Sequence, residues 1–239
     1  MSNNWIILGV HHSGTTIMQK TLITQPGMSG DVDDQCINKY RESLPNLDNL
    51  ENISNRVWKH PWTGQWAENT VRFLLRLLKD CDEDVQSKQN VIFMNRPAIE
   101  IICSFLLRTN KQEQMLKPFV NDKKQTINII QKQIMYIDWY HSTRRWFEMQ
   151  FPGNTYYVDL LQFASNPNDV MHVLGFNDTK IVGNGIGDKD RPTGHEHLRA
   201  WQSDLKPNPR AIQQDFTQHI HSSWLDYISA QITDYSPNL

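Results

Sequence analysis

The segment Gly-Val-His-His-Ser-Gly-Thr-Thr, residues 9 to 16, has the composition of a loop that binds an anion. It follows a short apolar run, Trp5 to Val10, and leads into a helical pattern over Thr15 to Ile23. The backbone N–H groups and the dipole at the start of such a helix favour a negatively charged ligand. The alternative is an ordinary strand-to-helix turn in which Ser and Thr cap the helix amides.

The loop has almost the frame of a Walker A motif, but Thr15 stands where that motif requires lysine. Without this lysine the β- and γ-phosphates of ATP lose their usual charge partner. A nucleoside triphosphate is therefore disfavoured as the ligand.

A second pair of polar residues follows the apolar run Asn90 to Asn95. Arg96 stands at the predicted strand end, and Ser104 follows eight residues later, two turns along the next predicted helix. A guanidinium and a hydroxyl at this spacing can converge on one phosphate. The alternative for Arg96 is a helix cap or a surface ion pair.

A third group, Lys59 and His60, lies in the segment Val57 to Trp62. It places a cation and a potential general base side by side, since the unperturbed pKa of histidine is near neutrality. The alternative is that His60 caps a turn before Pro61.

The anion loop resembles the 5'-phosphosulfate loop of sulfotransferases that use 3'-phosphoadenosine 5'-phosphosulfate (PAPS). In that family a lysine or arginine precedes Ser-Gly-Thr-Thr, and here His12 takes that place. A neutral imidazole still donates one hydrogen bond, and a nearby sulfate or phosphate would favour its protonated form. The resemblance implies that the donor's 5' end is held by His11, His12, Ser13, Gly14, Thr15 and Thr16.

Three further segments extend the resemblance along the chain. Arg96 and Ser104 are similar to the family's 3'-phosphate site, although Pro97 follows Arg96 directly where the family usually has an acidic residue first. The series Tyr156-Tyr-Val-Asp-Leu160, Asn166-Pro167 and Leu174-Gly175 resembles a family series that would bring Tyr157 near the nucleotide. The stretch 183–194, with Arg191, is similar to the loop that closes over the nucleotide; its alternative is a solvated surface loop.

The resemblance implies an enzyme that transfers a sulfuryl group from PAPS to a hydroxyl or amine of a small-molecule or carbohydrate acceptor, leaving 3',5'-adenosine bisphosphate. Lys59 would stabilise the leaving group, His60 would be the base, and His12 joins them as a candidate catalytic residue. No metal is expected, because the pairs His195/His197 and His219/His221 have no evident third ligand. The acidic residues that offer an alternative base or solvated loop charges are Asp31, Asp33, Asp34 and Glu42.

Two other functions remain open at this point. One is a P-loop nucleotide or small-molecule kinase, which the missing loop lysine argues against. The other is a non-catalytic nucleotide-binding protein on the same scaffold, which His12 makes plausible. Trp58, Trp62 and Trp66 near the expected site would suit a sugar ring, a phenol or an alcohol, so the acceptor stays undetermined.

The elements that carry these residues alternate between strand and helix. Strands are predicted at 5–10, 90–95 and 155–158, and helices at 15–23, 67–79, 99–108, 123–150, 168–174 and 210–232. The predicted buried stripes are Val71, Leu74, Leu75 and Leu78 on one helix and Ile212, Phe216, Ile220, Trp224 and Ile228 on the last. This pattern predicts a three-layer α/β/α fold with a mainly parallel central sheet, which the resemblance identifies as the P-loop NTPase-like architecture of sulfotransferases.

Composition narrows the partners and the setting. At 239 residues we expect a single domain spanning 1–239. A net charge of −2 gives no excess of cations for a nucleic-acid polymer or an anionic membrane. Cys36, Cys81 and Cys103 form no CxxC pair, and the N-terminus has neither a basic segment nor a long apolar stretch, so a cytoplasmic protein is expected. Its oligomeric state is left open.

Overall fold

The computed structural model describes residues 3–10, 13–30, 44–62, 65–107, 115–119, 124–177, 217 and 220–235. The chain divides into two compact units, one formed by Met1–Asn95 with Tyr140–Val182 and the other by Arg96–Trp139 with Gly183–Leu239. The expectation of one domain over 1–239 stays a prediction.

A parallel sheet forms the centre of the first unit. Within the described residues it has five strands in the order β2-β3-β1-β4-β5, and every neighbouring pair is parallel. The strands are β1 (Asn4–Val10), β2 (Ser29–Gly30), β3 (Arg56–Trp62), β4 (Gln89–Asn95) and β5 (Thr155–Asp159).

Helices of the described chain connect these strands and build the second unit. They are α1 (Thr15–Ile23), α2 (Gln65–Asp80), α3 (Glu83–Ser87), α4 (Ala98–Leu107), α5 (Lys124–Gln150), α6 (Leu160–Ser165), α7 (Pro167–Val173) and α8 (Ser222–Tyr235). Two short 3-10 helices lie at Leu47–Asn52 and Pro152–Asn154. None of these helices is both long enough and apolar enough to cross a membrane.

The sheet is covered on both faces, as the continuous apolar runs predict. All seven residues of β1 are buried, which a parallel strand between two layers of helices requires. Neighbouring residues of β3 face opposite layers: Lys59 bonds to Thr16 of α1, and His60 bonds to Trp66 of α2. The predicted α/β fold with a parallel central sheet is therefore confirmed.

Tyr140 anchors the C-terminal part of α5 to the centre of the sheet. Its hydroxyl lies 2.8 Å from the carbonyl oxygen of Met94 and 3.2 Å from that of Leu8, and both carbonyls accept from it. Its ring packs against Trp62 and Phe93. Burial raises the pKa of this hydroxyl well above its usual value, so it remains a donor to carbonyls near the ends of β1 and β4.

The second unit has its own aromatic core. Trp224 of α8 packs edge-on against Phe119, and its indole N–H donates to the carbonyl of Lys117. Ile220, Trp224 and Ile228 are buried, as the predicted stripe requires. Ile212 and Phe216 lie outside the described residues.

Two local predictions differ from the structure. The alternative in which His60 caps a turn before Pro61 is wrong, because residues 56–62 form strand β3. Pairing with β1 compensates for a segment without a continuous apolar run. On α2 the buried face is formed by Ala67, Thr70, Phe73, Leu74 and Leu77. Val71, Leu75 and Leu78 are only half-buried, so the prediction for those three is wrong. Phe73, which was not predicted, belongs to the buried face.

Candidate functional site

Residues 9–16, which we call the phosphate loop after the ligand predicted for them, connect β1 to α1. Within this segment the amide of Ser13 donates to the carbonyl of Val10 at 3.0 Å, and α1 begins at Thr15. Gly14 has a φ of 93°, in the left-handed region that favours glycine. A Cβ at Gly14 would also lie 2.5 Å from Leu160 Cδ1, and one at Gly9 would collide with the hydroxyl of Ser13. Gly14 is thus favoured by its φ and by the closeness of Leu160, and Gly9 by the closeness of Ser13.

Ser13 presents a buried hydroxyl inside this loop. The residue is 1% exposed, and its Oγ has no hydrogen-bond partner among the described residues. Buried polar groups are nearly always hydrogen-bonded. Because the first amides of a helix also lack acceptors within it, the start of α1 has donors available for a bound anion.

Lys59 brings a cation to the same loop from the neighbouring strand. Its Nζ donates to Thr16 Oγ1 at 2.9 Å. The loop lacks a lysine at Thr15, yet β3 supplies an ammonium group at the next position. The structure therefore brings together Lys59 and Thr16, two residues that sequence reasoning placed in one site.

His60 lies on the opposite face of β3 from Lys59. It is 2% exposed, its Nε2–H donates to the carbonyl of Trp66 at 3.3 Å, and its ring meets the Trp66 ring edge-on. Burial lowers the pKa of His60 to about 4, although the bond to Trp66 opposes that shift. The imidazole is therefore neutral near pH 7 and lies between β3 and α2.

Arg96 and Ser104 lie in the second unit, at and along α4. Arg96 is 3% exposed, and its Nε donates to Glu100 Oε2 at 2.8 Å. Burial lowers the pKa of Arg96, and Glu100 opposes that shift. The alternative of an ion pair is therefore realised, but as a buried pair and not on the surface.

The hydroxyl of Ser104 resembles that of Ser13 in its environment. Ser104 is completely buried, and its Oγ has no hydrogen-bond partner among the described residues. Neighbouring Cys103 is also buried, and burial raises the pKa of its thiol to about 12. Cys103 is thus a core residue.

Tyr157 is the middle residue of β5, and its side chain is exposed. Its side is covered by Arg144, whose guanidinium carbon is 4.1 Å from the ring centroid, and by the edge of His141. Partial burial raises the pKa of the Tyr157 hydroxyl, and Arg144 opposes that shift. With 42% of its surface exposed, the side chain remains partly accessible.

Several predicted residues lie outside the described part of the chain. They are His11, His12, Arg191, His195, His197, His219, the acidic residues Asp31, Asp33, Asp34 and Glu42, and Cys36. Their assignments stay predictions. The remaining histidine of the two pairs, His221, accepts at Nδ1 from the hydroxyl and amide of Ser223. Among the described residues no group of three or more His, Cys, Asp or Glu side chains is arranged for a metal ion.

The tryptophans near Lys59 do not form an open platform for an acceptor. Trp58 is 8% exposed and Trp62 is 1% exposed. Both belong to the core between β3 and its helices, because even-numbered residues of this strand point into the α2 side of the sheet. The suggestion that these two rings stack on an acceptor is therefore wrong, and Trp66 is half-buried.

Sequence reasoning missed the residues that support the loop from behind. Leu160 abuts Gly14, and Asp159 before it is bonded to Asn95. The available signal was that each follows or ends a predicted strand, since ligands of parallel sheets bind at the carboxyl ends of strands.

Comparison with known proteins leaves the family unassigned. No protein-family model and no curated protein matches the sequence. Among solved structures, a sulfotransferase from Alicyclobacillus acidocaldarius is similar over 94% of this chain and 99% of that chain, with 13% sequence identity and a TM-score of 0.48. A similarity this distant assigns neither a family nor an activity.

Proposed function

We propose that this protein is a sulfotransferase that uses PAPS as donor and a hydroxyl or amine of a small-molecule or carbohydrate as acceptor. The observation that carries the proposal is the pair of buried serine hydroxyls, Ser13 and Ser104. Each lacks a hydrogen-bond partner among the described residues. Each stands where the sequence motifs place a phosphate-binding hydroxyl, and a buried hydroxyl without a partner is costly unless a ligand supplies one.

The phosphate loop fits the 5' end of the donor. Ser13 and the amides of residues 14–16 offer donors, and the close packing at Gly9 and Gly14 keeps side chains out of the turn. We propose that His11 and His12 complete this group. When bound, PAPS supplies the sulfuryl group that passes to the acceptor, and its bisphosphate departs.

Lys59 is proposed to stabilise negative charge on the departing phosphate. Its ammonium group already lies at Thr16, the hydroxyl that in a Walker A loop would ligate Mg²⁺. A magnesium ion there would have to displace or approach a like charge, which is unfavourable. This arrangement supports a reaction without a metal and disfavours the kinase alternative.

The proposal assigns the donor's 3'-phosphate to Arg96 and Ser104. The guanidinium supplies fixed positive charge and the Ser104 hydroxyl supplies a donor. Glu100 holds Arg96 through its Nε, a contact that fixes the plane of the guanidinium. Tyr157 and Arg191 are proposed as further contacts of the nucleotide.

His60 and His12 are the two histidines proposed for the chemistry. His60 is neutral near pH 7, as a base must be, but its Nε2–H is engaged by Trp66 and its ring faces away from Lys59. His12 belongs to the loop itself and is proposed to take part in catalysis as a hydrogen-bond donor.

Replacement of the two serines separates a ligand role from a structural role. Isothermal titration of wild type, Ser13→Ala and Ser104→Ala with 3',5'-adenosine bisphosphate, without magnesium, should show affinity lowered about tenfold in each variant. Their thermal midpoints should stay equal to wild type or rise, since each change removes an unsatisfied hydroxyl. Ser87→Ala is the control, because that exposed hydroxyl bonds only to Asp84 among the described residues.

Transfer itself is measured with radiolabelled PAPS and a panel of hydroxyl and amine acceptors. Binding of the bisphosphate together with transfer supports the proposal. Tighter binding of Mg-ATP than of the bisphosphate would replace it with the kinase alternative. Binding without transfer to any acceptor would favour a non-catalytic nucleotide-binding protein.

A further inference from the structure

A hydrogen bond ties together the carboxyl ends of β4 and β5. Asn95 is the last residue of β4, and its Nδ2 donates to Asp159 Oδ2 at 3.0 Å. The two residues are register partners in the parallel ladder, and Asp159 is the last residue of β5. We call this bond the Asn95–Asp159 clasp. It lies at the carboxyl ends of the parallel strands, where the phosphate loop also follows β1.

Asp159 also holds the first turn of α6. Its second carboxylate oxygen, Oδ1, accepts from the amides of Leu161 at 2.8 Å and Gln162 at 3.0 Å. The carboxylate therefore receives three donors, one from Asn95 and two from the helix start. These donors offset its negative charge, which would otherwise oppose an anion bound at the same edge.

Leu160, the residue after Asp159, packs against Gly14 of the phosphate loop. Leu160 is 1% exposed, and its Cδ1 occupies the space directly behind the Cα of Gly14. Its position follows from the cap at Asp159, because it is the first residue of the helix that Asp159 starts. Asn95 thus bonds to Asp159, Asp159 starts the helix whose first residue is Leu160, and Leu160 packs against Gly14, which follows Ser13.

We propose that Asn95 and Asp159 are positioning residues for the phosphate loop, acting through Leu160 on Gly14. Neither residue need contact the ligand. The consequence for nucleotide binding rests on the proposed function, whereas the consequence for the free loop does not. Loss of the clasp is expected to let Leu160 move and the loop amides reorganise, with a selective loss of affinity for a 5'-phosphate.

The selective loss is measured by titration with two nucleotides. Asn95→Ala and Asp159→Ala should bind 3',5'-adenosine bisphosphate about tenfold more weakly than wild type. They should bind adenosine 3'-monophosphate, which lacks the 5'-phosphate, within about twofold of wild type. Asp159→Asn should restore most of the affinity, since asparagine is as good a helix cap as aspartate and its amide can still pair with Asn95.

A measurement without ligand separates this inference from the proposed function. Hydrogen–deuterium exchange of free Asn95→Ala should be faster in peptides that cover residues 9–18, with no change in peptides covering α7. The control is Asn90→Ala, at the opposite end of β4. It removes a hydrogen bond from the side-chain amide of Asn90 to the carbonyl of Asn4 and should leave exchange in the loop peptides unchanged.

The outcomes distinguish the two ideas. If wild type binds no bisphosphate, the proposed function fails, and exchange in the loop still decides the inference. Equal loop exchange in Asn95→Ala and wild type would overturn it. It would also be overturned by a uniform rise in exchange over the whole chain, which marks a merely structural role, or by equal losses for both nucleotides.

Discussion

Lys59 lies within strand β3 and places its ammonium group against Thr16. Its ammonium group bonds to Thr16, so its contribution to an anion site is already oriented before any ligand arrives. Preoriented charge stabilises a developing negative charge without reorganisation.

Replacement of Lys59 by methionine should keep the aliphatic stem and remove the charge. We expect affinity for 3',5'-adenosine bisphosphate to fall about tenfold and the transfer rate to fall by about 100-fold or more. Titration and radiolabel transfer provide the two values. Lys88→Met is a suitable control, since Lys88 pairs with Asp84 at the N-terminal side of β4. Unchanged transfer in Lys59→Met would show that this lysine takes no part in the chemistry.

His60 makes the stability of the fold depend on pH. Its pKa is about 4 in the folded protein, against 6.5 for the ordinary side chain. Between these values the unfolded chain binds a proton that the folded chain does not, so stability falls as the pH drops from about 6.5 to about 4. The difference corresponds to about 3 kcal/mol.

Substitution His60→Gln tests this dependence. The amide of glutamine can still donate to the carbonyl of Trp66, but it does not titrate. Urea unfolding measured from pH 7 to pH 4 should therefore show a shallower loss of stability in the variant. His172→Gln, at an exposed position on α7, should retain the wild-type slope. A wild-type slope in His60→Gln would mean that the buried imidazole is not the group responsible.

At the scale of elements, the turn from β1 into α1 depends on one glycine for two separate reasons. Gly14 has a positive φ, and its Cα faces Leu160 without room for a methyl group. Gly175, after α7, shares the positive φ of 86° but has open space around it. A substitution at Gly175 therefore measures backbone strain alone, and one at Gly14 measures backbone strain together with crowding.

Replacement of each glycine by alanine should lower stability by about 1 to 2 kcal/mol through backbone strain. Only Gly14→Ala should also weaken binding of 3',5'-adenosine bisphosphate, because the added methyl group displaces Leu160 or the loop. Urea unfolding and titration measured on both variants check this difference. Equal nucleotide affinity in the two variants would show that the turn tolerates the displacement.

Local sequence patterns predicted some elements well and missed others for an identifiable reason. β1 and β4 are continuous apolar runs because both of their faces are buried, and such runs are visible in sequence. β3 contains Lys59, His60 and Pro61 and has no such run; its strand conformation depends on pairing with β1. The Asn95–Asp159 clasp joins positions 64 residues apart through strand register, which no local pattern records.

At the scale of the whole molecule, a bound nucleotide should stabilise the fold by mass action. At a concentration of 100 times Kd, 3',5'-adenosine bisphosphate should add about 2.7 kcal/mol. For a chain of this size the thermal midpoint should rise by about 5 to 10 °C. Thermal unfolding followed with and without EDTA should give the same rise, since the proposed reaction uses no metal. A larger rise with Mg-ATP would contradict the proposed donor.

The order of the strands has a consequence for synthesis of the chain. β1 lies between β3 and β4 in the sheet but leaves the ribosome before either of them. A nascent polypeptide that ends before Asn95 therefore displays a seven-residue, largely apolar strand with at least one unpaired edge. Translational pausing in that interval would prolong the exposure, and chaperone engagement is expected to be greatest there.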